Sequence, residues 1–136
     1  MSNSGHSFPI RVYYEDTDAG GVVYYANYLK FAERARTEAL RAAGIEQTAL
    51  RESHGILFVV RHVDIDFLKP AKLDDLLTVE STLQKISNVK IIIAQTISRD
   101  GKTLAKLTVT LAVINDAFKL AKLPDSIKKA MQKIFD

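Results

Sequence analysis

Two carboxylates, Asp16 and Asp18, stand just before a glycine pair, Gly20-Gly21, in the run Tyr13-Tyr14-Glu15-Asp16-Thr17-Asp18-Ala19-Gly20-Gly21. A glycine pair lets a backbone or a ligand approach closely. The apolar pattern after it is helical, so unpaired N–H groups are expected near Val23 to Ala26, where they would stabilise developing negative charge. A carboxylate beside such a helix end is equipment for hydrolysing an activated acyl group. The carboxylate activates water or attacks, and the N–H groups hold the oxyanion. The same residues also suit a purely structural Asx turn that caps the helix. Types and spacing leave both readings open.

The elements that must position this turn follow from periodicity. Phe8, Ile10, Val12 and Tyr14 alternate with Arg11, Tyr13 and Glu15, which predicts a half-buried strand ahead of the turn. Beyond the glycines, Tyr28, Phe31, Ala32, Ala35, Ala39 and Ala43 recur at three- and four-residue steps, the buried stripe of one long helix. Lys30, Glu33, Arg34, Arg36, Thr37, Glu38 and Arg41 fall on its outer face, and Gly44 stops it. A short helix is expected over 46–53. From Leu57 the pattern turns strand-like, with Val59, Arg61, Val63, Ile65 and Phe67 on one face and Phe58, Val60, His62, Asp64 and Asp66 on the other, until Pro70. Strands over 76–86 and 89–98 join at Ser87-Asn88, and Asp100-Gly101 is a two-residue hairpin signal leading into a strand over 103–114. Residues 124–136 carry a C-terminal helix. The fold class is α+β, with an antiparallel sheet of five strands covering the long helix. Two sheet edges favour pairing with another copy, so a homodimer is expected.

Composition narrows the function classes. The chain of 136 residues fits a single domain over 1–136, with 1–7 as a flexible leader. It has no cysteine, which removes disulfides, thiolate catalysis and zinc fingers. A net charge of +3 suits phosphate-bearing ligands and is too small and dispersed for nucleic acid. No secretory signal or membrane-length apolar run is visible, so a cytoplasmic protein is expected.

The core D-x-D-x-x-G-V-V-Y-x-x-x-Y, Asp16 to Tyr28, with the later LKPAKLDD segment and long closing strands, resembles the hot-dog-fold acyl-CoA thioesterases of the 4-hydroxybenzoyl-CoA thioesterase superfamily. Within it the chain is most similar to the YbgC-type branch found in the Tol-Pal gene neighbourhood. The likeness covers about residues 9 to 116. It implies a sheet wrapped around one central helix and hydrolysis of a short-chain or aromatic acyl-CoA without metal or other cofactor. It implies Asp18 as catalytic carboxylate and the Tyr25 backbone N–H as oxyanion donor. Gly21 and Val22 would line the thioester, with Asn27 and Tyr28 supporting the pocket. The acyl pocket would form across a dimer interface, in a dimer or a dimer of dimers, a homotetramer. Many YbgC-type relatives have His where this chain has Tyr25, a change that a backbone role survives.

For the CoA phosphates, Arg61 and Lys90 are the basic candidates, with Arg99 beside them. Glu33 and Glu38 read as solvated charges, and His6 and His54 carry no assigned role. His62, Asp64 and Asp66 share a strand face at metal-like spacing, but without a fourth ligand nearby they read as a polar outer face. Two other classes compete with hydrolysis. One is a non-catalytic module binding acyl-CoA or acyl-carrier protein on the same fold. The other is a hot-dog dehydratase, disfavoured because no His lies near the Asp18 turn.

Overall fold

A computed structural model describes residues 5–136. The chain forms β1 (His6–Arg11), α1 (Asn27–Ala42), α2 (Gln47–His54), β2 (Ile56–Phe67), β3 (Leu76–Ile86), β4 (Lys90–Arg99), β5 (Lys102–Asn115) and α3 (Asp125–Ile134). The five strands make one antiparallel sheet in the order β1-β3-β4-β5-β2, so β1 and β2 are its edges. This is the α+β architecture expected of a hot-dog domain.

The hairpins form where the turn chemistry calls for them. Asp100 and Gly101 both take positive φ, 52° and 79°, which closes the two-residue β4–β5 loop. At the β3–β4 hairpin, Ser87 N–H donates to the Lys90 carbonyl across 2.8 Å. One sheet face carries Leu77, Val79, Ile91, Ile93, Ile97, Leu107 and Val109, all buried, and α1 packs its Phe31, Ala32, Ala35, Ala39 and Leu40 into the same core. Each fully buried Val, Leu, Ile or Phe among them contributes roughly 1.5–3 kcal/mol, and the alanines less. Helix α1 ends as its glycine dictates: Gly44, at φ 80°, donates to the Arg41 carbonyl, and Ile45 N–H donates back to the Leu40 carbonyl at 2.9 Å. Leu40 and Ile45 are both buried at this stop, completing a Schellman motif.

Four expectations change. The first strand stops at Arg11 and already includes His6 and Ser7, so these two residues of the expected leader are sheet. Beyond it, Tyr14–Asp16 forms one 3₁₀ turn and Tyr14 stands 81% exposed. Tyr14 cannot join the strand because Asp16 bends the chain, its carboxylate accepting from Tyr13 N–H at 2.8 Å.

The second change is a bulge in β2. Val60 pairs with Leu111 and His62 with Thr110, leaving Arg61 as the extra residue. One inserted residue reverses the alternation. Phe58 and Val60 therefore share the helix-facing side with Val63, Ile65 and Phe67, in register with Val113, Leu111, Val109, Leu107 and Ala105. The sequence pattern placed Phe58 and Val60 on the opposite face.

The third concerns Arg36, expected on the exposed side of α1. It is buried at 8% exposure, its Nη1 donating to Gln95 Oε1 at 2.9 Å. Gln95 in turn donates to the Ala32 carbonyl and to Ser81 Oγ. The last change is the onset of α1 at Asn27, later than the sequence pattern suggested.

Candidate functional site

The site is built on the segment between β1 and α1. Thr17 and Val23 bridge antiparallel, making a small hairpin with a three-residue loop, Ala19-Gly20-Gly21. Its closure uses Gly21 N–H to the Asp18 carbonyl and Asp18 N–H to the Val22 carbonyl. Gly21 occupies the left-handed position, φ 80°, that this loop length requires. Asp18 is exposed and its Oδ1 accepts the Gly20 N–H at 2.8 Å. The Asx-turn bond of the structural reading is thus present, and among the described residues it engages one carboxylate oxygen only. Asp16 is different. It is buried, its carboxylate serves Tyr13 N–H, and its carbonyl accepts from Tyr24 N–H and from Asn27 Nδ2. Those bonds make Asp16 the structural member of the pair.

The segment is tied to the 67–75 loop. Val22 bridges Lys72, and Val23 N–H donates to the Ala71 carbonyl at 2.8 Å. Two of the four N–H groups expected to be free, those of Val23 and Tyr24, are therefore spent on Ala71 and Asp16. Among the described residues, Tyr25 and Ala26 N–H meet no protein acceptor, while Asn27 N–H donates to Tyr24 O and Tyr28 N–H to Tyr25 O. Ala26 is the N-cap of α1 and offers no capping side chain. Unpaired donors at a helix start are where an anion binds.

Around Tyr25 lies a cavity of about 250 Å³ walled by Val23, Tyr25, Tyr28, Phe67, Leu68 and Pro70, with Lys69 at its edge. The Phe67 ring meets Tyr25 and Tyr28 edge-on at 6.1 and 5.4 Å. Tyr28 is buried, and its hydroxyl accepts the Ala71 N–H at 3.0 Å. Burial pushes the Tyr28 phenol up, and the Ala71 N–H and the nearby Arg99 charge offset that rise only in part. Arg99 itself pairs with Asp75. Burial pushes Asp75 up, but the Lys72 N–H and the Arg99 guanidinium outweigh it and hold its carboxyl below the ordinary value.

The structure thus brings together Asp18, Gly21, Val22, Tyr25, Asn27 and Tyr28. It does not bring Arg61 or Lys90 to them within one chain. Lys90 opens β4 whereas the site lies beside its other end, where Arg99 Nη1 reaches Asp75, about 30 Å away along nine strand residues. Arg61 is the exposed bulge residue in the middle of β2. The basic residues near the turn are Lys69, Lys72 and Arg99, whose Nη1 reaches the Pro70 carbonyl and Asp75. Sequence reasoning named Arg99 but missed the two lysines, together with Phe67, Leu68 and Pro70, although the LKPAKLDD stretch held the signal. His62, Asp64 and Asp66 lie on the outer face opposite Thr110, Thr108 and Lys106. Among the described residues no group of three or more His, Asp or Glu side chains could hold a metal ion.

Comparison with known proteins gives this geometry its context. Residues 20–106 match the model of the Thioesterase superfamily. An acyl-CoA thioesterase, YbgC, from Haemophilus influenzae is 44% identical over 135 residues, covering 98% of this chain and 99% of the relative. The acyl-CoA thioester hydrolase YbgC of Escherichia coli O6:H1 is 40% identical over 129 residues, 93% of this chain and 96% of the relative. A crystal structure of a 1,4-dihydroxy-2-naphthoyl-CoA thioesterase from Synechocystis superposes with a TM-score of 0.86 at 26% identity, covering 93% of this chain and 94% of that one. The family match begins in the glycine pair, after Asp16 and Asp18, and runs through α1 and β2 into β5, taking in Tyr25 and the cavity wall at Phe67, Leu68 and Pro70, and with it the chain belongs to the Thioesterase superfamily.

Proposed function

We propose that this protein hydrolyses acyl-CoA thioesters to a carboxylic acid and free CoA, with Asp18 as base or nucleophile and the Tyr25 N–H as oxyanion donor. The observation that carries this reading is the Tyr25 N–H, unpaired among the described residues at the start of α1, in a residue that lines an aromatic cavity and follows Asp18, whose carboxylate has one oxygen engaged among the described residues. In the base route Asp18 takes a proton from water as the hydroxide adds to the thioester carbonyl. The resulting oxyanion rests on the Tyr25 N–H. Collapse expels CoA as thiolate, and the proton returns from Asp18 to sulfur. In the nucleophile route Asp18 attacks directly, CoA leaves, and water then hydrolyses the acyl-aspartyl anhydride. Neither route calls for a metal or a redox cofactor.

The aromatic rings that one chain contributes to the pocket support a short-chain or aromatic acyl group, in keeping with the naphthoyl-CoA activity named for the Synechocystis neighbour. Gly21 and Val22 would border the thioester, while Asn27 and Tyr28 hold the frame. The CoA phosphates would meet Lys69 and Lys72, with Arg61 and Lys90 contributing only from a second subunit. A homo-oligomer, a dimer or a dimer of dimers, is supported by the long edge strand β2 with exposed Val60, Phe67 and Leu68. A cytoplasmic reaction is part of this reading, and acyl-carrier protein is a second thioester donor of the same chemistry. The test is release of free thiol from butyryl-CoA and benzoyl-CoA by wild type and Asp18→Asn. A mutant at full rate sinks the assignment, and tight CoA-ester binding by wild type with no thiol release would make the protein a binding module.

A further inference from the structure

The loop between β2 and β3, residues 68–75, gives Leu68 and Pro70 to the wall of the cavity beside Tyr25. Its backbone is tied at three places. Leu68 and Lys69 N–H both donate to the Leu104 carbonyl, at 2.8 and 3.1 Å. Ala71 is held on both sides, its N–H on the Tyr28 hydroxyl and its carbonyl on the Val23 N–H. Farther on, Asp74 N–H donates to the Val12 carbonyl and Val12 N–H to the Asp75 carbonyl. Pro70 lies between these ties and has no N–H to give. Among the described residues the only donor to its carbonyl is Arg99 Nη1, at 3.5 Å, a long contact.

Arg99 reaches this loop from the last position of β4. It continues the strand face of Ile91, Ile93, Gln95 and Ile97, all buried, so a cation stands where the alternation calls for a core residue. Its side chain is 28% exposed and that of Asp75 21%, so water screens the pair less than a surface one. Arg99 Nη1 donates to Asp75 Oδ2 at 2.5 Å, and the same oxygen accepts the Lys72 N–H at 2.8 Å. One guanidinium nitrogen thus touches both Pro70 and Asp75, the two ends of the 70–75 stretch. With its charge met by Asp75, Arg99 serves the loop and not a phosphate. We infer that Arg99 is a positioning residue for thioester hydrolysis: it clamps Pro70 and Asp75, keeps 68–70 laid against Tyr25 and Tyr28, and so sets how tightly the acyl group is held. This rests on the acyl-CoA reading of the Asp18–Tyr25 site. Arg99 is not among the residues that line the cavity, so its effect falls on binding before it falls on the reacting carbonyl.

The experiment compares wild type, Arg99→Met and Arg99→Lys on two readouts. The first is hydrogen exchange of the Ala71 and Val23 amides, which bond to Tyr28 and Ala71 and not to Arg99. Arg99→Met should speed both roughly tenfold, the scale of one charge-assisted hydrogen bond, while the Leu107 and Val109 amides of β5 keep the wild-type rate. The second is thiol release from butyryl-CoA and benzoyl-CoA. In Arg99→Met KM should rise roughly tenfold with kcat within about twofold, the signature of lost binding. Arg99→Lys keeps a cation for Asp75 and should recover most of both changes. Asp75→Asn leaves an oxygen for the Lys72 N–H, should move both readouts the same way, and decides the matter if Arg99→Met does not fold. Unchanged exchange at Ala71 and Val23, a rise shared equally by β5, a fall in kcat at constant KM, or Arg99→Lys behaving like Arg99→Met would overturn the inference. A wild type that releases no thiol would remove the hydrolytic reading instead, and the exchange rates would still decide whether Arg99 clamps the loop.

Discussion

Asn27 Nδ2 donates to the Asp16 carbonyl at 2.8 Å, tying the first residue of α1 to the carboxylate turn eleven residues earlier. The bond is buried, and the same carbonyl accepts the Tyr24 N–H. The donor pair at Tyr25 and Ala26 is thereby held in one place relative to Asp18. Asn27→Ala removes this tether without exposing a new charge. It should cost about 1 kcal/mol in denaturant unfolding. Thiol release should fall by more than that loss of folded protein explains, because Tyr25 loses its positioning.

Asp18→Asn tests the chemistry with little disturbance of the turn, since an amide oxygen still accepts the Gly20 N–H. Stability should stay within about 0.5 kcal/mol of wild type. The rate of thioester hydrolysis should drop by about 10²- to 10⁴-fold, the range for loss of a general base.

Tyr25 separates backbone from side chain. If its N–H is the oxyanion donor, Tyr25→Phe should keep most of the hydrolysis rate, while Tyr25→Pro should lose about 10²- to 10³-fold. Proline is tolerated just ahead of a helix, so circular dichroism should show α1 intact in the second variant. A large loss in Tyr25→Phe would instead assign the role to the hydroxyl.

The Asp75–Arg99 pair sets an acid limit. Asp75 has a carboxyl held below its ordinary value in the folded state. Its contribution is therefore fully present above the unfolded-state pKa of about 3.9 and is lost as pH falls through the lower folded-state pKa. Asp75→Asn should remove this share of the acid destabilisation, so melting curves of mutant and wild type should converge as pH is lowered. Curves that stay parallel from neutral pH downward would refute the coupling.

Gly5 tests the edge of the sheet. It sits at φ 73°, and a Cβ there would come within 1.9 Å of the Ser81 carbonyl oxygen. Gly5→Ala should cost on the order of 1–3 kcal/mol in thermal or denaturant unfolding, the scale of a strained backbone position.

Much of this fold was legible because its signals are local. Asp100-Gly101 and Gly44 act through their own backbone conformations and Ser87 through bonds to Val89 and Lys90, and each ends its element within a residue or two of the expected place. The burial of Asp16 and the exposure of Asp18 could not be read from types and spacing, nor could the sequence show that Val23 and Tyr24 N–H would be taken by Ala71 and Asp16. Arg36 was misplaced because periodicity sorts residues by polarity, whereas its burial depends on Gln95, which is remote in sequence. The cavity wall at Phe67, Leu68 and Pro70 escaped for the same reason. It exists only once the loop before β3 is laid against the start of α1.

The bulge at Arg61 bears on assembly. A twelve-residue edge without interruption would offer a neighbouring strand many equivalent alignments. The extra residue divides β2 into two stretches of opposite parity, Ile56–Val60 and His62–Phe67. In the proposed homo-oligomer, a strand from another copy that slipped by one position would set its own bulge against regular ladder, and Arg61 would be the indexing mark that selects a single alignment along this edge.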